Sequence, residues 1–142
     1  MLHSEKIAEI INAQKPVDKV ILNRVKKALE KKGVSLHQSE KTDEWLISKG
    51  AEAVTFSDGT IVMHTNVSAS GFFEELTHYG QIINGRAIAG DIENNILMEI
   101  EAKERLIKHR KAYGITDYEV EVLAVGLDYY KMELQNLRKA VD

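Results

Sequence analysis

The stretch Ala53-Val54-Thr55-Phe56-Ser57-Asp58-Gly59-Thr60-Ile61-Val62-Met63-His64 decides the fold class. Two β-prone runs, 53–56 and 60–64, flank Ser57-Asp58-Gly59. Asp-Gly between such runs reads as a hairpin turn. No other stretch reads so plainly as sheet, and residues 34–38 are the place to look for a further strand. Most of the chain outward from the hairpin has helical spacing.

On the N-terminal side, Ile7, Ile10 and Ile11 make a short apolar stripe. Pro16 interrupts it and suits the first turn of a second helix. Val17, Val20, Ile21, Val25 and Leu29 carry that helix to Lys32, where Gly33 is a natural stop. Residues 43–49 read as a short helix with Trp45 and Leu46 turned inward. On the C-terminal side, Ser68 and Ser70 offer N-caps for a helix to about Asn84. Asp91 caps a long helix expected to end near Tyr113, before Gly114. Thr116-Asp117-Tyr118-Glu119 is a capping box that opens the last helix, to about Lys139. The expected order is helix, helix, hairpin, then three helices. This is a mostly helical α+β fold with a small antiparallel sheet. Residues 1–142 read as one domain, with N-terminal helices over 1–33 and the core over 50–140.

Composition narrows the chemistry. The chain has 142 residues and 44% hydrophobic content, enough for a core without staples. Its formal net charge is −3. No basic field exists to grip a phosphate backbone, so general nucleic-acid binding is not expected. With no cysteine, thiolate metal sites, disulfides and cysteine nucleophiles are excluded. No apolar run approaches the roughly 20 residues that span a bilayer. Residues 1–6 carry no apolar h-region, so no signal peptide is expected in this chain. The expectation is a cytoplasmic location as expressed, or delivery as part of a larger secreted effector.

The chemistry concentrates in Ser70-Gly71-Phe72-Phe73-Glu74-Glu75-Leu76-Thr77-His78-Tyr79-Gly80-Gln81. Phe72, Phe73, Leu76, Tyr79 and Ile83 form the apolar face of this helix. Glu74 and His78 stack four apart on another side, and Gln81 lies one turn further. A ligand pair at i, i+4 with Glu between is the spacing of the His-Glu-x-x-His zinc helix. There, two residues bind metal and the intervening Glu activates water. Glu at the first position makes the site harder and more anionic, nearer to manganese or magnesium preferences. In the next helix Glu99 has Ile92, Ile96, Ala102 and Leu106 at −7, −3, +3 and +7. It therefore lies on the apolar stripe, where an unpaired carboxylate is costly. Glu101, with Glu104, Arg105 and Lys108 around it, reads as facing water.

This pattern resembles the zincin superfamily, specifically its small metallopeptidase-like toxin domains. Those domains lie at the C-termini of bacterial polymorphic toxins and in phage-borne effectors. The likeness is carried by Gly59-Thr60-Ile61-Val62-Met63 as an edge strand, by Phe73-Glu74-Glu75-Leu76-Thr77-His78-Tyr79-Gly80-Gln81, and by Glu99-Ile100-Glu101-Ala102. It covers roughly residues 50–135. The resemblance implies that His78 and Glu99 are metal ligands, that Glu74 takes the first-ligand position, and that Glu75 is the general base. It also implies one divalent metal, zinc or manganese, a peptide or protein substrate, and an immunity protein as partner. A degenerate site would hold none.

Plainer readings stand beside these. His78 reads equally as an inert helix-edge histidine, Glu74 as a solvated charge, and Glu75 as a partly buried one. Glu99 reads equally as a salt-bridge partner of Arg86, Arg105 or Lys103. His64, just before the motif helix, could reach the same cleft as a substrate contact or stray ligand, but the expectation is a strand-end surface residue. Tyr113, Tyr118, Tyr129 and Tyr130 default to packing, and residues 103–111 to a solvated helix face. Two other functions compete: a metal-free RNase-type toxin using Glu75 and His78 as acid and base, and a non-catalytic helical module that packs on a partner or forms a homo-oligomer.

Overall fold

The computed structural model describes residues 2–141, with side chains from residue 4 onward. Two compact units, Met1–Glu75 and Leu76–Asp142, divide the chain, and the boundary falls inside a helix. The first unit holds α1 (Leu2–Ala13), α2 (Lys19–Lys31), β1 (Leu36–His37), α3 (Glu40–Ser48), β2 (Ala53–Thr55), β3 (Ile61–Met63) and the start of α4 (Ala69–Ile83). The second holds the rest of α4, then α5 (Ile92–Lys108) and α6 (Asp117–Val141). The class is α+β and mostly helical. Among the described residues, no helix is long and apolar enough to cross a membrane.

In the first unit the hairpin forms where Asp58-Gly59 places it. Thr55 pairs with Ile61 and Val54 with Val62, antiparallel. The Phe56 N–H donates to the Thr60 carbonyl at 2.8 Å, and the Asp58 carboxylate accepts from the Thr60 N–H at 2.9 Å. Gly59 has φ +91, a conformation that side chains with a Cβ resist. The 34–38 region supplies β1, which pairs parallel to β3 with Leu36 opposite Ile61. The sheet is therefore mixed, in the order β1-β3-β2. Its central strand, Ile61–Met63, is buried throughout, with a strand on each edge and α3 packed against it.

Two helix starts differ from the sequence reading. Pro16 does not open α2. It bridges to Ser68, and the Val17 N–H donates to the Val67 carbonyl at 2.8 Å. That pairing buries Val17 in extended backbone. The helix begins only after Asp18, whose carboxylate accepts from the N–H groups of Val20 and Ile21. Similarly α3 begins three residues before Asp43. Ser39 and Thr42 exchange backbone and hydroxyl hydrogen bonds there, a capping box with Thr in the place of Glu. Leu46 is fully buried as expected. Trp45 is partly exposed, its ring 5.9 Å from that of Phe56.

His64 is not a surface residue. It is buried, its Nδ1 accepting from the Asn66 N–H at 2.9 Å and its Nε2 standing 3.7 Å from the Asp43 carboxylate. Its role is to lock the corner between β3 and α4. Glu52 then sets the start of α4. Its Oε1 accepts from the Ser68 N–H at 2.7 Å and from the Ser68 hydroxyl at 2.8 Å. A carboxylate at a helix N-terminus suits the helix dipole. A Cβ at position 71 would stand 2.6 Å from Glu52 Oε1, so a larger residue there would push the Glu52 side chain off its bonds to Ser68.

In the second unit α5 starts on Asp91, which accepts from the Asn94 N–H at 2.9 Å. It stops at Lys108, five residues short of the expected end. The chain turns over residues 109–114, through Gly114 at φ +68, and drives Ile115 into the core. A helix continued to Tyr113 would leave Ile115 outside. The capping box forms: the Thr116 N–H donates to Glu119 at 2.7 Å and the Glu119 N–H to the Thr116 hydroxyl at 3.2 Å. The unit's core contains Ile96, Ile100, Ala102 and Leu106 of α5 and Leu123 of α6.

Candidate metal centre

Helix α4 is one unbroken helix, so Glu74 stands one turn before His78. Its rotation is set by Phe72, which is fully buried, and by Glu52 at its start. Glycine ends it, with Gly85 at φ +73.

Both nitrogens of His78 have partners. Nδ1 lies 2.8 Å from Gln81 Oε1, and Nε2 lies 3.3 Å from Glu99 Oε1. The Gln81 amide is buried, and its Nε2 donates to the Met98 carbonyl at 3.0 Å and to Glu101 at 3.2 Å. Two acceptors on the NH2 side leave Oε1 to face the histidine. The Nδ1 of His78 therefore carries the proton and donates it to Gln81. Nε2 is left turned toward a carboxylate. A lone pair facing an anion at that distance is repulsive, so a proton or a cation belongs there.

Glu99 is held by both of its oxygens. Oε1 faces His78, and Oε2 accepts from Lys103 Nζ at 3.0 Å. Burial pushes its carboxyl up, but the hydrogen bond and charge of His78, followed by those of Lys103, outweigh it and hold the pKa at about 2. The salt-bridge reading and the ligand reading of Glu99 thus coincide in one side chain. Arg86 turns elsewhere, to Glu101 at 2.5 Å. Glu101 is exposed, as read from its sequence neighbours, and has partners there. The Arg86 hydrogen bond lowers its carboxyl against a smaller rise from burial, and Gln81 adds a second bond.

Glu74, His78 and Glu99 each offer a ligand atom, and these atoms all lie within 4.8 Å of one another. Ligand atoms about 2.1 Å from a metal stand roughly 3–4 Å apart, so small side-chain movements close the trio around an ion. One nitrogen and two carboxylates suit zinc or a harder divalent ion. The Gln81 carbonyl oxygen behind His78 is the outer partner that a ligating histidine usually has. Glu75 is placed differently. Its carboxylate accepts from the Thr55 hydroxyl at 2.5 Å, so it turns toward β2.

A cavity of about 410 Å³ opens beside the pair, lined by His78, Glu99, Asn95, Ile96, Met98 and Tyr130. Of the four tyrosines, Tyr130 alone reaches it, and Lys103 Nζ lies 5.0 Å from the centre of its ring. Tyr113 packs near His109, while Tyr118 and Tyr129 are exposed. The sequence reading left Gln81 and Tyr130 without roles. Gln81 had a signal, a polar residue continuing the Glu74–His78 stripe. Tyr130 had none, because only folding brings α6 beside α5.

No protein-family model matches the chain, and no curated protein or solved structure matches it.

Proposed function

We propose that Glu74, His78 and Glu99 hold one divalent metal ion, zinc or manganese, and that this is a metal-dependent hydrolase domain of the metallopeptidase type, acting as a toxin or effector. The observation that supports it most is the convergence of the three ligand atoms within 4.8 Å, with Gln81 fixing the proton of His78 on the far nitrogen. A metal bound there would supply Lewis acidity and lower the pKa of a bound water. The chain's own residues do the rest. Gln81, by accepting from Nδ1, leaves Nε2 of His78 as the nitrogen that would meet the metal. Lys103 balances part of the charge on Glu99. Glu75 is the base in this reading, with the Thr55 hydroxyl bonded to one of its two oxygens, Oε2. The cavity beside the trio would receive part of a peptide or protein substrate. In the toxin reading an immunity protein is the natural partner.

Elemental mass spectrometry of the purified protein tests the ligand set. Wild type should carry about one zinc or manganese per chain, and His78→Ala and Glu99→Gln should lose it. Gln81→Leu should keep the ligands but weaken metal affinity by about 10–100-fold. Chelator-sensitive cleavage of a mixed peptide library, abolished by Glu75→Gln, would establish the hydrolase half. Protein that remains metal-free after zinc and manganese are supplied would overturn the reading.

A further inference from the structure

Helix α6 is apolar on two faces. Leu123 is buried in the second unit, and Leu127, Tyr130, Leu134 and Leu137 are half-buried on the same side. Tyr118, Val122, Val125, Tyr129 and Met132 are all exposed, Tyr118 by 72% and Val125 by 71%. Their spacing is four, three, four, three. At 100° per residue they fall within one narrow stripe, on nearly the opposite side of the helix from Leu123. That spacing is the seam of a coiled coil, sustained over about 21 Å of helix. Water-facing helix positions ordinarily carry polar groups, so five large apolar residues in register call for a partner.

The flanks of the stripe decide which partner. On one side lie Glu121 and Asp128, and on the other Glu119, Gly126 and Glu133. No lysine or arginine occupies these flanking positions from 118 to 133. A second copy of α6 fits badly. Laid parallel, Asp128 of one copy meets Glu133 of the other. Laid antiparallel, Asp128 meets Asp128. Either way like charges face each other beside the seam, which sets pairing against self-association.

We infer that the outer face of α6 is a docking site for an amphipathic helix of another protein, with an apolar seam flanked by lysine or arginine. The apolar stripe supplies contact area, and Glu121, Asp128 and Glu133 select the basic partner. The docking face is separate from the metal trio and does not depend on it.

A synthetic peptide of about three heptads, Leu and Val at the seam and Lys at both flanks, is the probe. Its partner in the comparison is the same peptide with Glu at the flanks. Fluorescence anisotropy with the full chain should show the Lys peptide binding at least tenfold more tightly, and more weakly as salt rises. Val125→Asp should reduce that binding at least tenfold while the thermal midpoint holds, since Val125 is exposed. Glu121→Lys, Asp128→Lys and Glu133→Lys combined should reverse the preference to the Glu peptide. Removing metal with chelator should change none of this. The inference is overturned if neither peptide binds, if both bind alike, or if Val125→Asp has no effect. A concentration-dependent dimer in ultracentrifugation, abolished by Val125→Asp, would also overturn it in favour of a second copy.

Discussion

His78 is held between an acceptor and an anion, and each does a different job. Gln81 decides where the proton sits, and Glu99 decides what the other nitrogen meets. The acid response follows from Glu99. Its folded pKa of about 2 lies below the ordinary 4.5, so the fold favours the ionised form. That stability is fully present above about pH 4.5 and is lost as pH falls through 2. The hydrogen bonds and charges of His78 and Lys103 are what hold Glu99 ionised, so their contribution goes when Glu99 itself is neutralised. Denaturant midpoints of wild type and Glu99→Gln measured from pH 6 to pH 2 should therefore converge at the acid end. A gap that stayed constant down to pH 2 would mean Glu99 contributes through packing and not through charge. The residues of the trio were legible from spacing alone: Glu74 and His78 by the i, i+4 step, Glu99 by its place on an apolar stripe. Lys103 was one of three cations in reach by sequence, and only the folded side chains chose it over Arg86 and Arg105.

Helix ends show where local signals are sufficient and where they are overruled. The Thr116–Glu119 box forms as its sequence reads, since both bonds close within four residues. Removing it with Thr116→Ala should cost about 1 kcal/mol, read as a lower denaturant midpoint at unchanged slope. The Glu119→Ala variant should lose a similar amount, and the double variant less than the sum, because the bonds share one turn. Other ends depend on distant partners. Pro16 and Val17 are drawn into pairing with residues 67–68, fifty positions away, so α2 begins late. α5 ends early because Ile115 must reach the core. Neither demand is visible in a window of one helix.

At the scale of the whole chain, metal and stability are linked by mass action. An ion that binds the folded protein alone, at 100 times its dissociation constant, adds about 2.7 kcal/mol. Differential scanning calorimetry should show the midpoint rise by several degrees with zinc or manganese in wild type. The same additions should leave His78→Ala and Glu99→Gln unmoved. A rise of equal size in those variants would place the bound metal at some other site. The formal charge of −3 offers any cation a mild general attraction, which is why the ligand variants and not the buffer are the control.

The sequence by itself determined the class of fold, the hairpin at Asp58-Gly59, most caps, and the two helices that carry the acidic residues and histidine. These rest on periodicity and on hydrogen bonds closed within a few residues, which any short window contains. Tertiary structure alone decided that β1 runs parallel to β3, that His64 is buried on Asp43, that Gln81 stands behind His78, and that Lys103 pairs with Glu99. It also decided that the second apolar face of α6 stays exposed. The physical reason is common to all of them. Each depends on which side chains from separate elements meet, and that is set by how the apolar faces pack, not by the order of residues along any one element.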